Sequence, residues 1–459
     1  VANKKANAMA TRSSLKVGLL CAATLLAAPL LTACGSDDGG GVVLSFYTAA
    51  DGAEQYAQAA AVCTTDSGGR YRVEQKTLPK GADDQRLQLA RRLTGNDSSL
   101  DLMTLDVVWT AEFAEAGWAV PLPEDVADEV SDGTLAGPLA SATWQDTLYA
   151  APLNTNTQLL WYRKDLMPDG KPPQTWDQMV DISEKLASDG RPSWIGVQGK
   201  QYEGLMVWFN TLLASAGGTV VGPDGTTVTV ADGDAAEKAL AVMKRVATAK
   251  GADPSISQSD EASSRLGMES GKSAFQVNWP FVLPGILENS EKRDLPYIDD
   301  KGNVTGRNTG NTVLTVNGER NFLAAPYPSV IEGKPAQVTI GGFNVAVAKT
   351  STHQDLAFEA LTCLRNEENQ RNNAVAGGVP PTLERLYDDP AFQAAYPAWR
   401  EVRDSLDTAA VRPVSPAYQS ISTLITATLN PVSKIDPSST VDKLADQVRK
   451  AVNSEGLIP

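Results

Sequence analysis

Between residues 42 and 117 the chain alternates between two hydrophobic periods, and that alternation restricts its architecture more than any other feature. VVLSFYT (42–48) is rich in β-branched and aromatic residues and reads as a strand, and Ala53–Val62 reads as the helix after it. Tyr71–Thr77 alternates as a second strand, and Asp84–Leu93, with Leu87, Leu89 and Leu93, makes a second amphipathic helix. LDLMTLDVVW supplies a third strand before the short helix TAEFAEAG. Strands alternating with helices predict an α/β protein built on a mostly parallel sheet. YAAPLNTNTQLLWYRKDLMP then reads as a long strand with two asparagines in its middle, a segment able to cross between lobes. The pattern resumes with TWDQMVDISEKLA, WIGVQ and GLMVWFNTLLASAG, with helices over 234–248 and 261–270, and with the strand SAFQVNWPFV. The polar, Gly/Asn-rich stretch 294–320 reads as a surface loop or small hairpin. VTIGGFNVAVAKT is a second candidate crossing with two glycines at its centre, and the tail is helical.

The N-terminal segment gives an address. Lys4, Lys5, Arg12 and Lys16 precede an apolar stretch from Val17 to Leu31, the pattern of a secretory signal and too short for a membrane-spanning helix. Leu31-Thr32-Ala33-Cys34 looks like a bacterial lipobox, which predicts cleavage after residue 33 and a lipid on Cys34; residues 34–41 would then be a flexible tether. An ordinary cleaved signal with a chance cysteine is the bland alternative. Removal of residues 1–33 takes away four basic and no acidic side chains, which moves the net charge from -15 to -19. That acidity argues against nucleic acid, which needs basic phosphate contacts. A mature chain of about 425 residues exceeds one core, so two lobes are expected. Cys63 and Cys363 remain, and two thiols in an exported chain suggest one disulfide, with a pair of buried free thiols as the alternative.

A catalyst is hard to assemble from these residues. His353 is the single histidine and has no neighbouring cysteine, so no common zinc site is expected. G-x-S-x-G, a phosphate-binding P-loop and a dinucleotide fingerprint are all missing from the sequence. A carboxylate pair of glycosidase type can always be nominated among 55 acidic residues and therefore carries little information. Neither cofactor nor metal is expected. A neutral sugar, in contrast, needs fixed acceptors and donors for its hydroxyls and an aromatic plate for its apolar ring face. Asp106, Asn154, Asn156, Trp279, Gly341 and Gly342 sit at strand ends and crossings, where the ligands of open α/β sheets collect.

YAAPLNTNTQLLWYRKDLMPDGKPPQTWDQM, MESGKSAFQVNWPFV and LARRLTGNDSSLDLMTLDVVWTAEFAEAGWAVPL resemble the extracellular sugar-binding proteins that feed ABC importers, the maltose-binding class. The likeness covers nearly all of the mature chain, and NTQLLWYR, NWPFV, TIGG and AAVRP are most similar to the trehalose-binding lipoproteins of mycobacteria. It implies a two-lobe periplasmic-binding-protein fold of type II, with about three crossings and a ligand cleft between lobes. Residues 42–156 and 341–390 would form the first lobe, and 157–340 with 391–459 the second. By the same resemblance Asp106 would accept sugar hydroxyls, Asn154 and Asn156 would contact the ligand at the hinge, Glu261 would bind from the second lobe, and Trp279 would stack on a pyranose. Gly341 and Gly342 would admit ligand to backbone N–H groups, and Arg412 would supply a forked donor. Gln85 and Glu203 are weaker nominees, for which a solvated or structural role is the first reading.

Each assignment has a bland alternative: a helix cap for Asp106, core packing for Trp279, a surface ion pair for Arg412, a solvated helix face for Glu261. The implied function is that of a lipid-anchored, extracytoplasmic, monomeric disaccharide receptor, for trehalose first. Its partners are importer permease subunits, and it makes and breaks no bond. A receptor for maltose-type oligosaccharides or a glycerophosphodiester is the alternative, and a cell-surface glycosidase a more distant one. The chain departs from the trehalose-binding pattern in being shorter around 290–325.

Overall fold

The computed structural model describes residues 41–50, 52–286, 296–307, 315–316 and 319–455; Cys34 and the signal segment lie outside them. The first sheet is built from the alternation that opens the chain. β1 (Val42–Thr48), α1 (Ala53–Asp66), β2 (Tyr71–Thr77), α2 (Ala82–Thr94) and β3 (Leu102–Asp106) lead into the short α3 (Thr110–Glu115). β1 runs parallel to both β2 and β3. The long central strand does not continue unbroken: it divides at Gln158 into β4 (Ala151–Thr157) and β5 (Leu159–Arg163), which belong to different sheets.

After β5 come α4 (Trp176–Ser188), β6 (Trp194–Gly196), α5 (Glu203–Ser215), α6 (Ala235–Thr248), α7 (Glu261–Glu269), β7 (Ser273–Asn278) and β8 (Phe322–Ala325). The caps of α4 and α7 are local. Thr175 accepts the Gln178 N–H, and Asp260 accepts the Ser263 N–H, so each side chain satisfies one orphan donor of its helix. The chain returns to the first sheet through β9 (Ile340–Val347). It then forms α8 (Gln354–Leu364), α9 (Glu367–Gly377), α10 (Pro390–Ala395), α11 (Trp399–Leu406), α12 (Tyr418–Leu429) and α13 (Pro437–Val452). Between 296 and 320 the described residues form two short antiparallel pairs, Pro296–Ile298 with Val304–Arg307 and Thr315–Val316 with Glu319–Arg320.

The sheet orders are β2-β1-β3-β9-β4 and β8-β5-β7-β6. β4 and β9 therefore leave one sheet side by side on their way to or from the other. α1 and α8 cover the first sheet, around Leu44, Phe46, Val345 and Val347. α12 and α13 pack with α5 and α6 on the second. Between the two, α9 to α11 bury Tyr387, Phe392, Tyr396 and Val402 against Leu159, Trp161 and Ile340, so the crossing strands have a core of their own. Cys63 in α1 and Cys363 in α8 are joined by a disulfide with their Cα atoms 5.8 Å apart. Both helices belong to the first sheet's layer, so the bridge closes a separation of 300 residues without tying the sheets together.

Candidate functional site

The strand register places the site. β9 pairs antiparallel with β3 and β4, which sets Phe343 opposite both Asp106 and Asn154, and Gly341 opposite Asn156. Four residues of β3 are buried before Asp106 emerges half-buried at its end; along β4, Asn156 is the half-buried residue in an otherwise buried run. Trp279 follows directly on β7, half-buried, with its N–H donated to Asn278 Oδ1 at 2.9 Å.

Gly341 is where these elements converge. A Cβ there would lie 2.4 Å from Asn156 Oδ1 and 2.7 Å from the Trp279 ring, so only a hydrogen fits between the amide and the indole. The Asn156 oxygen is buried and has no partner among the described residues. Gly342 has φ +128°, and a Cβ there would meet the Asn154 carbonyl at 2.3 Å; both facts demand glycine. Asn278 Nδ2 donates to the Glu261 carbonyl at 3.0 Å, which draws the N-terminus of α7 up to Trp279. The Glu261 carboxylate accepts from Tyr202 Oη at 2.6 Å.

A second group adjoins Gly341 through Ile340. Arg412, only 3% exposed, donates from Nη2 to Asp106 Oδ1 at 2.8 Å and from Nη1 to Glu203 Oε1 at 2.6 Å; Nη2 also lies 3.5 Å from the Ile340 carbonyl. Asp106 ends a strand of the first sheet, and Glu203 opens a helix on the second, so the guanidinium joins the two. Ser422 Oγ donates to Glu203 Oε2 at 2.6 Å, and Tyr418 donates its hydroxyl to Oε1. Burial pushes the Glu203 carboxyl up to about 7, with Asp106 adding to the rise and Arg412 opposing it. Burial works against the charge of Arg412, but Asp106, Tyr418 and Glu203 outweigh it and hold its pKa above the ordinary value.

The residues expected from the sequence fall into distinct groups. Asp106, Asn156, Trp279, Gly341 and Arg412 come together, and Glu261 joins them through Asn278. Asn154 shares the face of Asn156, but its amide is already used: Nδ2 donates to Tyr56 Oη at 2.7 Å, and Oδ1 accepts the Phe343 N–H at 2.9 Å. Gln85 is buried in α2, with Nε2 3.3 Å from the Lys80 carbonyl and Oε1 without a partner among the described residues. Asp106 Oδ1 also accepts the Val108 N–H at 3.3 Å, so capping and ion pairing coexist on that carboxylate. Glu203 is neither solvated nor peripheral. Tyr418 and Ser422, which sequence reasoning passed over, are spaced i, i+4 on α12; two polar residues on one face of an apolar helix were the available signal.

The described residues contain no cluster of three or more metal-binding side chains, and none of their helices is long and apolar enough to cross a membrane. Among solved structures the chain is similar to maltose-bound T. maritima MalE3, with a TM-score of 0.76 and 23% identity over 89% of this chain and 99% of that one. Among curated proteins it is 26% identical to a probable ABC transporter-binding protein of Deinococcus radiodurans, over 74% of this chain and 75% of the relative. It is 21% identical to a galactooligosaccharide-binding protein of Bacillus subtilis, over 96% and 97%. The sequence pattern of the bacterial extracellular solute-binding proteins matches residues 73–371, and with the two-sheet fold of the maltose-binding class around these crossings, the chain belongs to that family.

Proposed function

We propose that the chain is the receptor of an ABC sugar importer, that it captures a disaccharide, trehalose first, between its two lobes, and that it is held outside the cell membrane by lipid on Cys34. The observation that carries the reading is the convergence at Gly341. An aromatic plate, an unsatisfied amide oxygen and a carboxylate–guanidinium pair surround a backbone stripped of side chains, and these are the parts that a ring with many hydroxyls requires. Of the curated relatives named above, one is called a probable ABC transporter-binding protein and the other is named for an oligosaccharide.

In this reading residues 42–156 with 341–390 act as one lobe, and 157–340 with 391–459 as the other. Ligand touches both, so its differential affinity favours the closed form, which docks as a monomer on the permease subunits. No bond is made or broken in the cleft.

Isothermal titration calorimetry against trehalose, maltose, sucrose and a glycerophosphodiester tests the assignment. Binding of trehalose in preference to the rest is expected. Silence towards trehalose with binding of another member would reject the substrate, and release of free glucose on incubation would reject the receptor reading altogether. Cys34→Ala should free the protein from membranes with its affinity unchanged; retention after detergent-free washing would reject the anchor.

A further inference from the structure

We propose that Glu203 is a positioning residue for the sugar: it touches no ligand itself, but through Arg412 it aims and charges the Asp106 carboxylate that accepts the ligand's hydroxyls. The inference rests on the sugar-receptor reading above and deepens it.

Both oxygens of Glu203 are buried and engaged. The residue is 6% exposed; Oε1 takes Arg412 Nη1 at 2.6 Å and the Tyr418 hydroxyl, and Oε2 takes Ser422 Oγ at 2.6 Å. Arg412 is closed in as well, with 2% of its side chain exposed, Nη1 on Glu203 and Nη2 on Asp106 Oδ1 at 2.8 Å. Only the far end of this row is open. The Asp106 side chain is 16% exposed, and its Oδ2 has no hydrogen-bond partner among the described residues, whereas Oδ1 takes Arg412 and the Val108 N–H at 3.3 Å. The order is buried carboxylate, buried guanidinium, open carboxylate, and the buried end is anchored by two hydroxyls of α12.

A guanidinium held at both terminal nitrogens gives each partner a fixed direction. With Glu203 ionised, two carboxylates share one guanidinium, the row carries one net negative charge, and Asp106 keeps part of its charge for the hydroxyls that donate to it. With Glu203 protonated the row is neutral, the guanidinium bears on Asp106 alone, and Asp106 becomes the weaker acceptor. Hydroxyl donors in turn stabilise the net negative row, so ligand favours the ionised form. The charged and titratable groups that face Glu203 are Arg412 from the segment before α12, Asp106 from the end of β3 and Tyr418 from α12. Arg412 and Tyr418 are held above their ordinary values and keep their protons through the neutral range, whereas burial pushes the Glu203 carboxyl up to about 7. Sugar affinity should therefore rise with pH through about 7, while the folding stability that Glu203 contributes falls over the same interval. Opposite signs separate positioning from structural support, which would move both together.

The test is calorimetry of the full chain with trehalose, maltose and sucrose from pH 5.5 to pH 8.5, beside urea denaturation over the same range. The native protein should bind its preferred sugar about tenfold more tightly at pH 8 than at pH 6. Glu203→Gln, a neutral mimic of the protonated acid, should bind with the native pH 6 affinity throughout and yet be more stable than the native protein at pH 8. Ser422→Ala removes a donor that favours the ionised carboxylate, so it should move the midpoint of the affinity profile to higher pH, and it provides the answer if Glu203→Gln fails to fold. A flat native profile, a Glu203→Gln profile that follows the native one, a Glu203→Gln variant that loses affinity and stability together at pH 8, or an unmoved Ser422→Ala midpoint would overturn the positioning role alone. Silence of the native protein towards every sugar at every pH would overturn the receptor reading and the positioning role with it.

Discussion

Two glycines shape the proposed ligand site, and each can be tested by the addition of one methyl group. Gly341 separates Asn156 from the Trp279 ring, and the 2.4 Å and 2.7 Å approaches leave no room for a methyl. Gly341→Ala should therefore displace the indole and lower ligand affinity at least tenfold, measured by calorimetry, with a small change in melting temperature because the ring is half-buried. Gly342→Ala should act differently. Its conflict is with the Asn154 carbonyl and with its own φ, so the loss falls on stability, by about 1–3 kcal/mol in chemical denaturation.

Glu203 carries a pH dependence whose sign follows from burial. Its carboxyl titrates near 4.5 when unfolded and near 7 when folded, so between those values the native state retains a proton that the unfolded state has lost. Stability from this group is greatest below about pH 4.5 and is lost as pH rises through 7, by about 3 kcal/mol at the order-of-magnitude level. Glu203→Gln removes the titration. Relative to the native protein, the variant should gain ground from about pH 5 to pH 7 in urea denaturation and level off above that; a difference that stays flat from pH 5 to pH 7 would contradict the assignment.

At the scale of elements, the disulfide has a defined reach. α1 and α8 lie in one layer, so the bridge restricts the unfolded chain and leaves the crossings free. The chain-entropy treatment gives an upper figure of roughly 5–6 kcal/mol for a loop of this length. The Cys63→Ser/Cys363→Ser pair should lose a few kcal/mol of that in denaturation and keep its ligand affinity within about twofold. A large affinity change would mean that the bridge steers closure.

The strands of the first sheet were legible because β-branched runs, amphipathic helices and turn residues agree over 42–117, so local preference and tertiary demand coincide. The break at Gln158 was not legible: the residues on both sides are equally strand-forming, and only the pairing of Leu159 with Asn278 sends β5 to another sheet. Asn154 illustrates the same limit within one strand. Alternation correctly put it on the face of Asn156, but its amide is consumed by Phe343 and Tyr56, partners 189 and 98 residues away. Glu203 gives no sign of its role in the sequence, because an acid in the first turn of a helix is favoured by the helix dipole whatever else it does. Its guanidinium partner lies 209 residues downstream and leaves no local trace.

At the scale of the whole molecule, the two sheets are joined by more than the crossing strands. Arg412 bridges Asp106 and Glu203, and Gln419 Nε2 at the start of α12 donates to Asp83 Oδ1 in α2 at 3.0 Å. The second contact touches none of the residues around Gly341, so it can be removed without altering the proposed ligand site. In the proposed receptor reading it exists in full only in the closed form, so its loss would penalise that form alone. A part-buried hydrogen bond to a carboxylate contributes about 1.5 kcal/mol or somewhat more, which corresponds to about a tenfold change in an open–closed equilibrium. Ligand that binds only the closed form sees its apparent affinity fall by the same factor as the population of that form. Gln419→Ala should therefore raise the dissociation constant by up to about tenfold. Small-angle scattering should show a larger radius of gyration for the ligand-free variant than for the ligand-free native protein, and equal radii once both are saturated. A weakened affinity with identical ligand-free radii would place the effect in the cleft and not in closure, and would contradict the view that contacts remote from the sugar help set the closed state.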